Sequence, residues 1–375
     1  MRASGPVLVA ALLWSPAALA EGSLPAGSDP PVLTPTLVID GYFAKHFAAP
    51  PNGVLGAQTA GGQNGEFALN VAAVGARLEH QRWAAHVALW AGTMVDAINP
   101  DTGQKGYASP SVYKHIQIAH IGIKEGPFRV DVGLMPSHFG NESALTTSNW
   151  NYTHALVADG TPYYVSGVRG VYKPSDRFSF TLVAYNGWYA LGNPNPYKSG
   201  GYRVEWHPTD TVAVANAAHV GIVGVYRDLR IFEDLVVTVD ATSSLHFAVE
   251  TWAAIDKVEK DAIPGVARDD HKLAGAALWT KVDLSSLFFV AGRAEIVFDG
   301  YGQIVPVPEA VAIGATPMPT QIRAGTLTFG WTPHPNVVAK IEASDRYANH
   351  NLWLSADGAV KKNQVLSVAS LAVAY

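Results

Sequence analysis

Residues 128–135, FRVDVGLM, show the clearest strand pattern in the chain, because their side chains change between apolar and polar at almost every step. One face of such a strand carries Phe128, Val130, Val132 and Leu134, and the other carries Arg129, Asp131 and Gly133. A period of two residues predicts a strand that lies between an apolar and an aqueous environment. A soluble β-sandwich would turn the apolar face inward, whereas a transmembrane β-barrel would turn it outward to lipid.

A second stretch, RFSFTLVAYNGWY at residues 177–189, has the same alternation, with Phe178, Phe180 and Leu182 on one face. Between the two stretches lie a further strand pattern and a long insert, PSHFGNESALTTSNWNYTHALVADG, at residues 136–160. The connections along the rest of the chain separate the sandwich from the barrel.

The composition of the 375-residue chain points to a surface that is short of charge. Charged residues make up 15% of the chain, compared with roughly 25% in a typical soluble domain. No run of about eighteen apolar residues follows the N-terminal segment, which excludes an ordinary transmembrane helix. The net charge of -5 and the lack of a basic block argue against a nucleic-acid partner.

The N-terminus is predicted to be an export signal at residues 1–20, with Arg2, an apolar run at 7–14 and an Ala18-Leu19-Ala20 cleavage site. A short buried N-terminal helix is the alternative. Residues 21–35, rich in Gly, Pro and Ser, are predicted to be a flexible leader, and residues 36–375 the barrel. Because the chain has no cysteine, disulfides, lipoprotein anchoring and thiol-based metal sites are excluded.

The connections between strands alternate in length along nearly the whole chain. About sixteen strands of roughly ten to fifteen residues are predicted, long enough to cross a bilayer when tilted. The third is expected to end at Asp96, and the one connection that breaks the alternation lies at residues 226–228. Short turns at one end and long loops at the other are typical of an antiparallel up-and-down outer-membrane barrel, with the short turns periplasmic.

Aromatic residues near the strand ends predict interfacial girdles. They are Tyr42, Phe43, Trp83, Tyr163, Tyr164, Trp188, Tyr189, Trp206, Trp331 and Tyr347. Trp90, Trp252 and Trp279 lie in the middle of strands, as a sandwich core would require. The chain closes on an alternating strand ending in Tyr375, which is similar to the signal that hands outer-membrane barrels to their assembly machinery.

The central block resembles the β-barrel porin-2 (OmpL-like) family. The matching segments are G-x6-G-x-E at 133–142, W-N-Y at 150–152, G-x-P-x4-G-V-R at 160–169 and N-G-W at 186–188. Residues 39–47 and 341–349 also look like family positions. The resemblance implies a bacterial outer-membrane barrel that acts as a passive porin for small hydrophilic solutes or ions. It implies no catalytic residue, because the family has none that can be carried over.

If the apolar faces contact lipid, the opposite faces line the lumen. The predicted pore-lining residues are Arg129, Asp131, Arg293, Glu295, Asp299, Lys340, Glu342 and Arg346, with Ser344 on the same face. Opposed basic and acidic rows would create a transverse field that selects solutes by charge. Alternatively, these charges pair with one another as cross-strand structural ion pairs.

The insert at residues 136–160 follows the fifth predicted strand, and in general porins the loop at that position narrows the barrel. The predicted constriction residues are Glu142, Asn149, Trp150, Asn151 and Tyr152. Leu145, Trp150 and Tyr152 would pack against the wall, and Glu142, Asn149 and Asn151 would face the channel. A plain external cover loop is the alternative.

No enzyme, cofactor or metal site is predicted. The nearest pair of histidines along a strand, His115 and His120, has a spacing that places them on opposite faces, and no hydrolase or phosphate-binding motif is present. Two other function classes stay open. One is a closed structural or enzymatic barrel, with His219 or His246 as a base, and the other is a secreted soluble β-sheet binding protein.

Overall fold

The computed structural model describes residues 29–48, 58–98, 113–189, 197–223, 227–258, 269–300 and 319–375. Within these ranges, sixteen strands close into one antiparallel barrel in which neighbours in sequence are neighbours in space and the last strand pairs with the first. The predicted all-β transmembrane barrel of about sixteen strands is confirmed. The predicted export signal and most of the predicted leader lie outside the described residues.

The strands are β1 (Val32–His46), β2 (Phe67–Glu79), β3 (Trp83–Ala91), β4 (Ile116–Glu125), β5 (Phe128–Pro136), β6 (Tyr164–Ser175), β7 (Phe178–Tyr185), β8 (Ser199–Thr209), β9 (Val212–Val223), β10 (Asp228–Asp240), β11 (Leu245–Lys257), β12 (His271–Asp283), β13 (Phe288–Asp299), β14 (Thr320–His334), β15 (Val337–Ala348), β16 (Trp353–Leu354), β17 (Val360–Lys361) and β18 (Asn363–Ala374). The helices are α1 (Thr93–Ile98) and α2 (Leu156–Asp159), and a 3-10 turn spans Thr146–Ser148. Strands β16 and β17 form a separate short hairpin, and the other strands form the barrel. Each helix among the described residues is too short to cross a bilayer.

The apolar faces of the strands point away from the barrel axis. Val132 is 50% exposed and Leu182 is 57% exposed, whereas Asp131, between two outward valines, is fully buried. The same alternation of exposed apolar and buried side chains runs through β10 to β15. The outward orientation predicted from residues 128–135 is therefore confirmed, and a sandwich with a dry core between two sheets is excluded.

The connections sort by length between the two ends of the barrel. Strands β4 and β5, β6 and β7, and β14 and β15 are joined by two residues each, whereas residues 137–163 join β5 to β6. The predicted exception is present, since only residues 224–227 separate β9 from β10. The barrel therefore has a short-turn end and a long-loop end.

Two predicted strand limits are wrong. Strand β1 begins at Val32 rather than Thr36, because residues 32–35 pair with the end of β2, and Val32 lies opposite Glu79. Strand β3 ends at Ala91 rather than Asp96. The residues that follow form α1, whose Met94 and Val95 are completely buried, because an inward turn of helix removes both apolar side chains from water.

Part of the predicted aromatic girdle is also wrong, because several of these rings lie inside the barrel. Tyr42 is 3% exposed and points inward. The ring centroids of Trp188 and Phe232 are 4.9 Å apart, and those of Phe232 and Trp252 are 5.7 Å apart. Trp206 and Trp331, by contrast, are exposed on the outer surface. The interior therefore contains an aromatic cluster on the inner face of β10 and β11.

Candidate functional site

The long connection between β5 and β6, residues 137–163, lies inside the barrel, and we refer to it as the lumen loop. Its helix α2 is buried, with Leu156 1% exposed and Val157 0% exposed. The helix contacts β11, β12 and β13. Apolar residues of the loop and of the inner wall form one continuous core. The loop therefore fills part of the lumen instead of covering the mouth.

Lys340 on β15 holds the middle of the lumen loop through its backbone. Its Nζ donates to the carbonyl oxygens of Thr146 at 2.7 Å, Asn149 at 2.5 Å and Asn151 at 3.2 Å. An ammonium group has three donors, so these three carbonyls occupy all of them. Lys340 is 3% exposed, and its charge is therefore solvated by loop carbonyls instead of water.

Glu342, two residues further along β15, binds the next part of the loop. Its carboxylate accepts hydrogen bonds from the backbone nitrogens of Tyr152 at 2.5 Å and Thr153 at 3.0 Å. It also accepts from the hydroxyl of Thr153, and from that of Thr328 at 2.7 Å. Alternate inward residues of one strand thus bind loop carbonyls and loop amides.

Arg293 on β13 continues this set of contacts. Its Nη1 donates to the carbonyl oxygen of Thr153 at 2.6 Å, and its Nη2 donates to that of His154 at 3.2 Å. Its Nε donates to Glu295, two residues along the same strand, at 3.0 Å. Glu295 in turn accepts from the backbone nitrogen of Leu156 at 2.5 Å, at the start of α2.

Glu142 is a loop carboxylate that turns back onto the loop and the wall. It accepts from the backbone nitrogen of Ala155 at 2.7 Å, from Nε1 of Trp279 at 2.9 Å and from Arg293 at 3.2 Å. Its side chain is 3% exposed. Glu142 therefore belongs to the wall of the larger cavity, but its carboxylate links the loop to β12 and β13.

The beginning of the lumen loop is fixed by two carboxylates on β10 and β11. Asp234 accepts from the backbone nitrogen of Gly140, and Glu250 accepts from that of Asn141, both at 2.8 Å. Gly140 has a φ of 75°, a conformation that glycine adopts without steric cost. This turn directs two successive amides toward the wall.

Asp40, on β1, is a further wall residue that binds the lumen loop, and we refer to these wall residues as anchors. It accepts from the hydroxyl of Thr146 and the side-chain amide of Asn70, both at 2.7 Å. The hydroxyl of Tyr152 lies 3.3 Å from the same carboxylate, and the rings of Tyr152 and Tyr42 pack 6.0 Å apart. The anchors therefore extend from β10 through β15 to β1.

Burial shifts the pKa of two groups in the lumen loop. Burial lowers the pKa of His138 to about 4, and the nearby guanidinium of Arg203 acts in the same direction. Nε2 of His138 lies 3.3 Å from the carbonyl oxygen of Ala218, so it carries the ring proton. Burial and the neighbouring carboxylate of Asp40 raise the pKa of Tyr152 above its ordinary value. Both groups are neutral at pH 7.

The structure separates the predicted pore-lining residues into two groups. All of them point into the barrel, but six are at most 6% exposed: Arg293, Glu295, Asp299, Lys340, Glu342 and Arg346. Four of these six bind the lumen loop: Arg293, Glu295, Lys340 and Glu342. Arg129 and Asp131 lie on the opposite wall, beside open space. The cause of this division is the position of the loop, which packs against β10 to β15 and leaves β2 to β6 uncovered.

The other predicted constriction residues are mostly buried. Asn149 binds the backbone of Ser143, and Asn151 donates to the hydroxyl of Thr328 at 2.7 Å, so neither faces the channel as predicted. Trp150 is half-buried, with its ring 6.2 Å from that of His246. The two asparagine side chains satisfy polar groups of the loop and of the wall that would otherwise be buried without partners.

Two adjoining cavities remain between the lumen loop and the uncovered wall. The larger has a volume of about 610 Å³ and lies between the loop and the inner faces of β1 to β4. The smaller has a volume of about 410 Å³ and lies against β2 to β6. Arg77, His86, Ile118 and Pro136 belong to the walls of both.

The uncovered wall contains arginines that were missed in the sequence. Arg77 and Arg169 line the smaller cavity. A third missed arginine, Arg203 on β8, lies outside this wall, pairs with Glu205 at 2.7 Å and donates to the carbonyl oxygen of His138 in the lumen loop at 3.0 Å. The sequence contains a signal for two of these arginines, because Arg77-x-Glu79 and Arg203-x-Glu205 have the same spacing as Arg129-x-Asp131. At this spacing a cation and a carboxylate share the inward face of a strand.

Residues 33–375 match the family described as "Putative beta-barrel porin-2, OmpL-like". The chain belongs to this porin family.

Solved structures with the same fold include outer-membrane proteins. OmpT of Vibrio cholerae has a TM-score of 0.59 and 9% identity, and the match covers 93% of this porin and 99% of that chain. An anion-selective porin from Comamonas acidovorans has a TM-score of 0.58 and 10% identity, covering 92% and 100%. The outer membrane channel DcaP of Acinetobacter baumannii has a TM-score of 0.57 and 10% identity, covering 92% and 98%. A comparison with curated protein sequences gives no match.

The sequence segments that resemble the porin family lie mostly in the lumen loop or beside it. Gly140 and Glu142 turn and anchor the start of the lumen loop, and Asn151 and Tyr152 bind the wall beneath its middle. Arg169, at the end of the third segment, contacts Asp131 on the uncovered wall. The resemblance therefore lies mainly in the loop and in the residues that hold it.

Proposed function

We propose that this porin allows passive diffusion of small hydrophilic solutes or ions across a bacterial outer membrane. The observation that carries the proposal is the pair of cavities, about 610 Å³ and 410 Å³ and lined in part by charged side chains, inside a closed barrel whose outer face is apolar. Solutes would pass between the lumen loop and the wall formed by β2 to β6. The loop narrows the passage from the other side.

The polarity of the wall supports a route for hydrated solutes. The side chains of Arg129 and Arg169 are 30% and 21% exposed to the lumen. Partly exposed charged groups keep a water-filled passage wetted, whereas an apolar constriction would close by dewetting. On this proposal the protein acts as a channel and has no catalytic residue.

The proposed membrane setting explains two other features. Outer-membrane lipid would contact the outward apolar side chains, such as Leu182 and Val132. The last residue, Tyr375, exchanges two backbone hydrogen bonds with Leu37, each 2.7 Å long. Tyr375 is 71% exposed, and the barrel assembly machinery would recognise it before the first and last strands pair.

Conductance across planar bilayers and the swelling of proteoliposomes in sugars of graded size test the proposal. We expect ion conductance and a rate of swelling that falls as the sugar becomes larger. Ala88→Trp places an indole in the larger cavity and should reduce both signals. Val87→Trp is the matched control, because Val87 lies on the outer face and is 51% exposed.

Two results would contradict the proposal. Folded, inserted protein that neither conducts ions nor swells liposomes would be a closed structural or enzymatic barrel. Equal conductance of Ala88→Trp and the wild type would show that the solute path avoids the larger cavity.

A further inference from the structure

We propose that Arg77, Arg129 and Arg169 form an anion-recognition wall and that small carboxylates and phosphates are the preferred solutes. We refer to these three residues as the arginine wall. The inference rests on the proposed function and extends it to a solute class. It depends on how charge is distributed between the buried and the exposed groups of β2 to β6.

The centre of the arginine wall is one buried carboxylate that is shared by two guanidinium groups. Asp131 accepts from Arg129 on its own strand at 2.7 Å and from Arg169 on β6 at 3.1 Å. The Asp131 side chain is 0% exposed, whereas both arginines reach the lumen. The carboxylate therefore lies behind the guanidinium groups, and a solute in the cavity meets the cations.

The strand next to Asp131 leaves space for this carboxylate. A Cβ on Gly122 of β4 would lie 2.2 Å from Oδ1 of Asp131. Glycine at this position allows the Asp131 side chain to lie flat against β4. In that position it holds two guanidinium planes toward the lumen, in the fixed fork geometry that suits bidentate binding of carboxylate and phosphate.

Arg77 adds a cation whose charge is not offset by the neighbouring carboxylate. It is exposed to the lumen and makes no hydrogen bond or ion pair with the described residues. The nearest acid along its strand, Glu79, is paired with Lys124 of β4. Arg77 therefore contributes a full positive charge to both cavities.

The charge of this region is positive overall. Arg77, Lys124, Arg129 and Arg169 carry four positive charges, whereas Glu79 and Asp131 carry two negative ones, so two positive charges remain. His86 and His120 lie between them and add no negative charge.

The carboxylates of the lumen loop do not neutralise this excess. Glu142 lines the larger cavity, but its carboxylate accepts from Trp279 and its charge is offset by Arg293 at 3.2 Å. Asp159 is bound by the hydroxyls of Thr59 and Tyr163. In a narrow passage with low-dielectric walls, a charge excess of one sign concentrates ions of the opposite sign. The passage should therefore favour anions.

Reversal potentials in a potassium chloride gradient test the sign of selectivity. We expect the wild-type porin to pass chloride several-fold better than potassium. Arg77→Glu should at least halve the ratio of chloride to potassium permeability, and it breaks no described contact. Asp131→Asn should raise the ratio, because it removes the negative charge and leaves the guanidinium groups. A purely structural role for these residues predicts no such opposed shifts.

Inorganic phosphate serves as a second probe. Added to one side, it should reduce chloride current through the wild type in a concentration-dependent manner, and Arg169→Gln should weaken this block several-fold. Lys272→Gln, on the outer face of β12, is the matched control and should leave selectivity and block unchanged. A thermal unfolding profile of each variant shows that the barrel is folded.

The outcomes separate this inference from the proposed function. A folded porin that conducts but prefers potassium, or whose selectivity is unchanged in Arg77→Glu and Asp131→Asn, overturns the arginine wall and leaves the channel function intact. Absence of any conductance overturns the proposed function and the inference together.

Discussion

On both sides of the lumen, charged residues at alternate strand positions point inward, but their surroundings differ. On β13 and β15, inward charges such as Arg293, Lys340 and Glu342 are covered and bind the backbone of the lumen loop. On β5 and β6, inward charges such as Arg129 and Arg169 are partly exposed beside a cavity. The inward orientation is shared, and the difference comes from the position of the lumen loop. We refer to the strands that bind the loop, including β13 and β15, as the anchoring wall, and to β2 to β6 as the solute-facing wall.

The difference shows why a charged residue in a barrel cannot be assigned to the pore by its face alone. A buried ion needs partners that replace water, and loop carbonyls and amides provide them for Lys340 and Glu342. Where the loop is absent, as at Arg129, water and a neighbouring carboxylate provide the solvation. The following predictions test this division of the lumen, in order of decreasing effect.

Removal of the lumen loop should have the largest effect. Replacing residues 141–159 with a short Gly-Ser linker opens the side of the lumen next to β10 to β15, so single-channel conductance should rise several-fold. Inserting the same linker in the short turn after Asp283 is the control and should leave conductance unchanged. Equal conductance in the deletion variant would mean that the loop does not limit the passage.

Lys340→Met should release the middle of the loop from the anchoring wall. Three loop carbonyls lose their donor, which should destabilise the docked loop by about 4 kcal/mol. Amide hydrogen exchange of residues 146–153 should accelerate accordingly. Lys272→Met, on the outer face, should leave this exchange unchanged, and equal protection in both variants would show that Lys340 is not an anchor.

Acid should loosen the start of the loop through His138. Its pKa in the docked loop is lowered to about 4, whereas the unfolded value is about 6.5. The docked state is therefore fully stable above pH 6.5 and should lose about 2 kcal/mol between pH 6.5 and 5. Hydrogen exchange of residues 138–142 measures this change.

His138→Phe provides the comparison for the acid titration. The phenyl ring can pack against the rings of Phe139 and Tyr185, which lie 3.9 Å and 5.6 Å from the imidazole, but it cannot be protonated. The pH dependence should be flatter in this variant. An equally steep dependence would assign the titration to other groups near the loop, such as His219.

The smallest effect is expected at the short-turn end, where neither wall is involved. Arg177 and Asp210 form an ion pair of 2.8 Å, but their side chains are 61% and 90% exposed. Arg177→Ala should change stability by less than about 0.5 kcal/mol and leave conductance unchanged. Chemical denaturation in detergent measures the stability, and a loss comparable to that of Lys340→Met would contradict the contrast between buried and exposed pairs.

Much of the fold could be predicted because it depends on local patterns. The alternation at residues 128–135 and the parity of connection lengths follow from the pleat of a strand and the geometry of an up-and-down barrel. The limits of β1 and β3 were less accurate. Residues 32–35 become a strand only because β2 is long enough to pair with them, and Met94 and Val95 form a helix only because the interior offers an apolar place for it.

The candidate site could be predicted only in part because it depends on contacts between distant parts of the chain. The face of Lys340 and Glu342 follows from strand parity, but their partners lie about half the chain away, with a sequence separation of 191 positions between Lys340 and Asn149. No local pattern specifies which wall the insert will pack against. The two-residue spacing of Arg77 and Glu79 was a local signal that could have indicated the uncovered wall.

The distribution of the anchors has a consequence for the order of assembly. The binding site for residues 146–153 includes Asp40 near the beginning of the chain and Lys340 near its end. A barrel that has not yet joined its first and last strands does not hold these two groups in place together. The insert can therefore settle into its final position only after the cylinder has closed, and the passage acquires its final width as the last event of folding.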